Sequence, residues 1–307
     1  MTKSTKWFLG ILAALAFLVV VFVGMILWGV SSVVSTADGG TETVVTGSGS
    51  KIAVVELKGV IASSDDIVRQ LKKYSENRSI RAIVLRIDSP GGGVVPSQEM
   101  YQEVRAVRDA GKPVVVSMGS LAASGGYYVA CGASRLVANR GTLTGSIGVI
   151  SEFLTYGDAL RKLGVDMRTI KAGRLKDSGN PMRKMTDEEA RYFQSLMDGV
   201  HRQFMDVVEH ERGIDHGQLV QIADGRVFTG EEAVELGLVD TLGTYEDAIS
   251  IAAGMAGISG EPSIVKERRR ANWFDIFLGE TDQTLKQLKQ ELLDRPVLSY
   301  RYAGPVN

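Results

Sequence analysis

Ser117-Met-Gly-Ser-Leu-Ala-Ala-Ser-Gly-Gly-Tyr-Tyr128 decides how the rest of this chain is read. The residues before it, Lys112-Pro-Val-Val-Val116, predict a short buried strand, β-branched and entered through a Gly-Lys-Pro turn. Tyr127–Cys131 predicts a helix. Ser124 therefore falls at a strand-to-helix turn, and its neighbours Ala122, Ala123, Gly125 and Gly126 carry almost no side chain. That openness would let a carbonyl group approach the hydroxyl. A helix start also offers free backbone N–H groups to a developing oxyanion. The same residues would equally serve a small-residue turn where a helix packs closely on a sheet.

Working outward, Ile52–Leu57 and Ala82–Ile87 predict buried strands. Ser63–Tyr74 predicts a helix, with Ile67, Val68 and Leu71 at helical spacing and two Asp near its start. Ala82–Ile87 runs into Asp88-Ser-Pro-Gly-Gly-Gly93. After it Met100, Val104 and Val107 mark a helix that stops at Gly111. Further short strands are expected at Leu136–Ala138, Ile147–Ile150 and Met167–Lys171, and a short helix at Asp158–Leu163. Strands alternating with helices at this spacing indicate an α/β domain with largely parallel pairing. Ligands of such sheets bind beyond the carboxyl ends of the strands, where both the glycine run 91–93 and the Ser124 turn fall.

Thr186-Asp-Glu-Glu189 is a capping box that opens a long helix, with Phe193, Leu196, Met197, Val200, Phe204 and Val207 on one face. Thr229-Gly-Glu-Glu232 is a second box, and Tyr245–Met255 a further apolar helix. Past Ser263 the composition shifts to Lys266-Glu-Arg-Arg-Arg270, then Trp273, Phe274 and Phe277, then an amphipathic stretch from Thr281 to Leu293. This tail suits docking on a neighbour or a membrane, or lying as a helix over the core.

Composition bounds the function. The 307 residues carry a net charge of −1, which does not point to nucleic acid. The single cysteine, Cys131, sits in an apolar run and reads as a small buried hydrophobe. The three histidines, His201, His210 and His216, lack metal-ligand spacing, so neither a metal nor a cofactor is expected.

Trp7–Val30 contains no charged residue and is long enough to span a bilayer. Lys3 and Lys6 precede it and Asp38 and Glu42 follow, which would leave the N-terminus in the cytoplasm and the bulk of the chain outside. A cleavable leader ending near Ala37 is the rival, but its apolar core is usually only ~7–15 residues. The expected organisation is therefore a stub and transmembrane anchor over 1–35, a flexible Gly/Ser/Thr linker over 36–50, a folded domain over 51–262 and a tail over 263–307.

A serine nucleophile needs a base. The histidines lie far along the chain on a helix whose apolar face is committed to packing. Lysine is the substitute, provided burial keeps its amine neutral. The glycines after Pro90 would let a backbone N–H face a carbonyl oxygen, or would simply make a strand–helix turn. A phosphate loop is disfavoured, because no Gly-Lys-Ser/Thr follows.

Several pieces together resemble the signal peptide peptidase A family, in its short form with one protease unit. They are Asp88-Ser-Pro-Gly-Gly-Gly93, Met118-Gly-Ser-Leu-Ala-Ala-Ser-Gly-Gly-Tyr-Tyr128, Thr144-Gly-Ser-Ile-Gly148 and Ile170-Lys-Ala-Gly-Arg-Leu-Lys-Asp177. Ala223-Asp-Gly-Arg-Val-Phe-Thr-Gly230 and Gly237-Leu-Val-Asp240 are similar too, so the resemblance covers about residues 51–255. It implies an α/β Clp protease/crotonase-like fold, a single-pass anchor in the cytoplasmic membrane with the catalytic domain on the extracytoplasmic side, and hydrolysis of remnant signal peptides. It implies Ser124 as nucleophile, Lys176 as general base, and Ser146 as the serine that hydrogen-bonds the lysine amine. The N–H groups of Gly92 and Gly125 would form the oxyanion hole, with Gly91 shaping it.

The resemblance also implies a ring-like homo-oligomer. The loop 172–185 has little apolar residue of its own with which to bury a lysine, so Lys176 of one protomer is expected beside Ser124 of the next. A crotonase-like acyl-CoA enzyme and a non-catalytic membrane scaffold are the alternatives.

Overall fold

The structure, a computed structural model, describes residues 41–47, 49–269 and 299–302. The chain divides into one unit of 44–266 with 288–307 and a second of 1–43 with 267–287. The expected membrane span and the amphipathic stretch of the tail lie outside the described residues. Among the described residues, no helix is long and apolar enough to cross a membrane.

After β1 (Thr41–Thr46), the main unit is built on parallel strands: β2 (Lys51–Lys58), β3 (Ile80–Ser89), β5 (Val114–Ala123), β6 (Arg135–Ala138) and β9 (Thr241–Leu242), adjacent in that order. β10 (Ser263–Arg269) adds a parallel strand beside β2, with Ser263 opposite Lys51. Successive strand residues face opposite sides. Ala53, Val55, Leu57, Ile83, Leu85 and Ile87 join one core, whereas Ile52, Val54, Ala82 and Val84 join the other. Burial on both faces is why these strands read as unbroken apolar runs.

The first core is closed by α1 (Asp65–Glu76), through Ile67 and Leu71, and by α2 (Val94–Asp109), through Met100, Val104 and Val107. The second is closed by α8 (Tyr245–Met255), which buries Ala248, Ala252 and Ala253 against the sheet, with Tyr245, Ile249 and Ile251 packed around them.

β5 turns a corner before it reaches Ser124. Its first half pairs with β6 through Val115–Ser117, and its second half with β7 (Leu143–Gly145) through Leu121–Ala123. On its other side Ile87 faces Met118 but Ser89 faces Ala122, so β5 bulges between these points. The Asp88 carboxylate fills the gap by accepting the Leu121 N–H at 3.1 Å. The Thr142 hydroxyl donates to the Gly119 carbonyl at 2.7 Å, and the Thr144 hydroxyl to the Ala122 carbonyl at 2.7 Å. β7 in turn pairs antiparallel with β8 (Val227–Thr229).

Three sequence expectations are corrected. The strand expected at Ile147–Ile150 does not form; the strand is Leu143–Gly145, which begins four residues earlier and pairs with β5. The strand expected at Met167–Lys171 is irregular, because among the described residues it has no partner to complete a ladder; Ile170 is 92% exposed. The long helix α5 (Asp187–Arg212) buries Phe204 and Val208, but its expected apolar face is open at the other end, where Leu196 is exposed. The capping box at Thr186 forms as read, and so does that of α7 (Gly230–Glu235) at Thr229. Thr41–Thr46, within the stretch expected as a linker, is a strand, and so is Ser263–Arg269, given to the tail.

The end of α5 is locked to the sheet by Arg212. Its guanidinium holds Asp240 at 2.8 Å, while the other oxygen of Asp240 accepts the Leu136 N–H at 2.7 Å. Burial raises the Asp240 pKa, but the Arg212 bond and charge and the Leu136 N–H outweigh it, leaving the carboxyl below its ordinary range. Its stabilising contribution is therefore complete above the ordinary carboxylate range and is lost as pH falls through the depressed value. Removing one partner strands the other in a semi-buried site. Asp240→Ala should therefore cost about 3 kcal/mol in urea unfolding at pH 7. The difference from wild type should shrink below about pH 4; a cost that does not change with pH would mean the pair is not what stabilises this corner.

Candidate active site

Ser124 joins the end of β5 to α3 (Gly125–Ala130) with φ 53° and ψ −117°. It and Ser146 (φ 52°) are the non-glycine residues with positive φ among those described. Such a conformation is strained for a side chain with a Cβ and persists only where its surroundings hold it. Here the Ser124 N–H donates to the Gly145 carbonyl at 2.8 Å and its carbonyl accepts the Tyr128 N–H at 2.8 Å. The Ser124 hydroxyl is buried and makes no hydrogen bond. A sharp strand-to-helix turn that projects an unpaired serine oxygen is the geometry of a nucleophile elbow.

β4 (Gly91–Gly93) leaves β3 and runs beside this turn. At Gly91 (φ +92°) a Cβ would lie 2.5 Å from the Gly125 nitrogen; at Gly92 it would lie 2.2 Å from the Ile61 carbonyl oxygen. Only glycine lets these backbones approach. The Gly93 N–H donates to the Ile61 carbonyl at 2.7 Å, and the Ile61 N–H donates to the Gly91 carbonyl at 2.9 Å. Ladder alternation then turns the Gly92 N–H to the opposite side of β4. The structure thus brings Ser124, Gly91, Gly92 and Gly125 together, and places Ser146 beside them through the pairing of Ala123 with Gly145.

Lys176 does not join them. It is exposed, and the unpartnered Ser124 hydroxyl shows that no Lys176–Ser124 hydrogen bond exists within the chain. The loop that carries it is nevertheless fixed. Asp177 pairs with Lys171 and with Arg183, whose guanidinium reaches Glu189 in the first turn of α5 at 2.5 Å. Arg183 and the Thr186 backbone N–H hold the Glu189 carboxyl far below its usual range.

None of the three histidines hydrogen-bonds the Ser124 hydroxyl. His210 is exposed, exposed His216 pairs with Glu209, and half-buried His201 places a ring nitrogen 3.2 Å from the Ile147 carbonyl. Cys131 is buried, and desolvation pushes its thiol up to about 12. Among the described residues, no group of His, Cys, Asp and Glu is arranged to hold a metal ion.

One feature of the site escaped the sequence reading. Tyr101, Tyr128 and Phe204, from α2, α3 and α5, form an aromatic box behind the turn, with ring centroids 5.3 and 5.0 Å apart. No linear spacing announces residues drawn from three helices.

Comparison with known proteins gives the family. Residues 106–259 match peptidase family S49, and residues 51–151 match the Clp protease family. A Synechocystis protein named as a protease is 43% identical over 214 residues, covering 69% of this chain and 77% of its own. The chain belongs to peptidase family S49. This S49 peptidase is also 32% identical, over 270 residues, to an Enterococcus faecium protein named as the signal peptide peptidase SppA (84% of this chain, 78% of that one). It is 32% identical over 270 residues to the Arabidopsis thaliana chloroplastic serine protease SPPA, covering 80% of this chain and 40% of the relative. It is a serine peptidase with a Clp protease-like α/β fold.

The strain at Ser124 can be measured. Ser124→Gly and Ser124→Ala both delete the buried hydroxyl, but only glycine relaxes the positive φ. Ser124→Gly should be more stable than Ser124→Ala by about 1 kcal/mol, or roughly 2–4 °C in thermal unfolding. The reverse order would show that the turn is not strained.

Proposed function

We propose that the chain is a membrane-anchored serine endopeptidase that hydrolyses remnant signal peptides with a Ser124–Lys176 dyad. The observation that carries the dyad's nucleophile is the strained, buried, unpaired Ser124 hydroxyl beside the Gly92 and Gly125 backbone. The relatives named as SppA support the substrate class, and the uncharged Trp7–Val30 stretch supports an anchor in the cytoplasmic membrane with the catalytic domain outside.

In this reading neutral Lys176 takes the Ser124 proton as the serine oxygen attacks the peptide carbonyl. The N–H groups of Gly92 and Gly125 hold the oxyanion. Lys176 returns the proton to the leaving amine, and water then releases the acyl group from Ser124. Ser146 hydrogen-bonds the lysine amine and orients it.

The base comes from a neighbouring protomer. Lys176 is solvated in its own chain while its loop is rigidly stapled to α5. An adjacent stretch of the same chain exposes Leu163 and Leu154, each 77% accessible, together with Val165, Met167 and Ile170. Apolar residues exposed in such a run mark an interface. A head-to-tail contact covering this run would bring Lys176 of one protomer to Ser124 of the next and would close into a ring.

The test is co-refolding. Ser124→Ala and Lys176→Ala should each be inactive on an apolar fluorogenic peptide. Refolded together in equal amounts, random assembly leaves an intact serine facing an intact lysine at about a quarter of the sites. A mixture without activity, in rings shown to contain both variants, would place the dyad within one chain or dismiss it. Replacing His201, His210 or His216 by Gln should leave turnover in place; loss of activity in a folded histidine variant would count against lysine as the base.

A further inference from the structure

The glycine strand β4 is held at both ends by buried serine hydroxyls that the mechanism does not use. Ser89 is the last residue of β3 and is fully buried. Its hydroxyl donates to the Gly59 carbonyl at 2.6 Å and accepts the Gly91 N–H at 3.1 Å. Ser97 of α2 is also fully buried, and its hydroxyl donates to the Gly93 carbonyl at 2.8 Å.

The two hydroxyls differ in what they supply. Gly93 is the N-cap of α2, so its carbonyl takes the first helical bond whether or not Ser97 is present. Gly91 has no such alternative. It is buried, belongs to no helix and has φ +92°. Without the Ser89 oxygen two residues back, its N–H would be buried unpaired. The Gly59 carbonyl takes the hydroxyl proton, which leaves an oxygen lone pair for that N–H. Gly59 is itself pinned, its N–H donating to the Asp88 carbonyl at 2.9 Å.

The Ser89 bond sets the direction of the next peptide. With its N–H tied to Ser89, Gly91 turns its carbonyl to the Ile61 N–H at 2.9 Å. The Gly91–Gly92 peptide is planar and trans, so a carbonyl aimed at Ile61 points the Gly92 N–H the opposite way. That is the edge of β4 along which β11 (Ser299–Arg301) runs, Tyr300 lying opposite Gly92. Glycine rotates about φ and ψ at little cost. Two fixed ends, Ser89 on the N–H and Ile61 on the carbonyl, are what keep this peptide from turning.

We infer that Ser89 is a positioning residue for peptide hydrolysis: its hydroxyl fixes the Gly91 peptide and thereby aims the Gly92 N–H at the developing oxyanion. The inference rests on Ser124 as nucleophile and Gly92 as oxyanion donor, as proposed above. Ser89 itself touches neither the substrate nor the reacting atoms. A donor held in place beforehand needs no reorganisation when charge develops. A donor free to swing away leaves substrate binding intact but stabilises the transition state less. Loss of the hydroxyl therefore falls on kcat rather than on KM.

The test compares full-chain wild type and Ser89→Ala on an apolar fluorogenic peptide. In Ser89→Ala kcat should fall about a hundredfold, the cost of misplacing a group by about 1 Å, while KM stays within about twofold. Ser89→Cys keeps the volume with a weaker acceptor and should fall between the two; it carries the test if the alanine variant misfolds. Ser117→Ala removes another buried serine hydroxyl, one that accepts from Arg86 at 2.8 Å, and should keep the wild-type kcat. A second readout uses a peptidyl trifluoromethyl ketone and its matching alcohol. Only the ketone gives an oxyanion: the serine oxygen bonds its carbon, the serine proton passes to the base and the carbonyl oxygen takes the charge. Ser89→Ala should weaken the Ki of the ketone about a hundredfold and leave that of the alcohol unchanged. Equal weakening of both, or a kcat loss that Ser117→Ala matches, overturns the inference. A wild type that binds ketone and alcohol equally sinks the oxyanion reading and this inference with it. A wild type that prefers the ketone, with the same preference kept in Ser89→Ala, sinks the role of Ser89 alone.

Discussion

Everything at the site depends on one constraint: β5 must end at Ser124 with the backbone thrown into positive φ. A serine does not hold that conformation unaided. It is held because β5 is gripped on both sides up to its last residue, by Ser89 of β3 against Ala122 and by β7 against Leu121–Ala123. The first turn of α3 then takes up the Ser124 carbonyl. Strain of this kind needs a stiff frame, and a sheet packed on both faces provides one.

The same frame explains the corner in β5. The bulge opposite Asp88 lets it change partners, and the carboxylate and two threonine hydroxyls take up the backbone groups that the change exposes. Glycines at 91 and 92 then allow β4 to lie against the turn at distances no Cβ permits. Rigid frame and close approach together hold the glycine backbone of β4 against the Ser124 turn.

The loop that carries Lys176, the proposed base, sits on a different footing. The Lys176 loop is ordered by Asp177, Arg183 and Glu189 but faces solvent, next to a run of exposed apolar residues. Within one chain those residues are a cost in exposed apolar surface. The C-terminal strand shows the opposite situation, an aromatic side chain fully buried in a box that the rest of the fold leaves for it.

The sequence by itself determined the parallel α/β core, the position of the Ser124 turn and the glycines beside it. Each is written locally: apolar runs make the strands, Thr186-Asp-Glu-Glu189 and Thr229-Gly-Glu-Glu232 cap their helices, and small residues flank the serine. Family resemblance, not spacing, pointed to Lys176 and Ser146. Ile147–Ile150 and Met167–Lys171 misled because β-branched and apolar residues favour a strand but cannot supply its partner. Only the tertiary structure decided which segments pair. A three-residue strand at Ser299–Arg301 has no periodicity to read, and it exists because β4 and Ile150 present unpaired backbone on either side of it. Likewise the box of Tyr101, Tyr128, Phe204 and Tyr300 is assembled from four separate elements, and proximity of that kind is a property of the fold rather than of any stretch of chain.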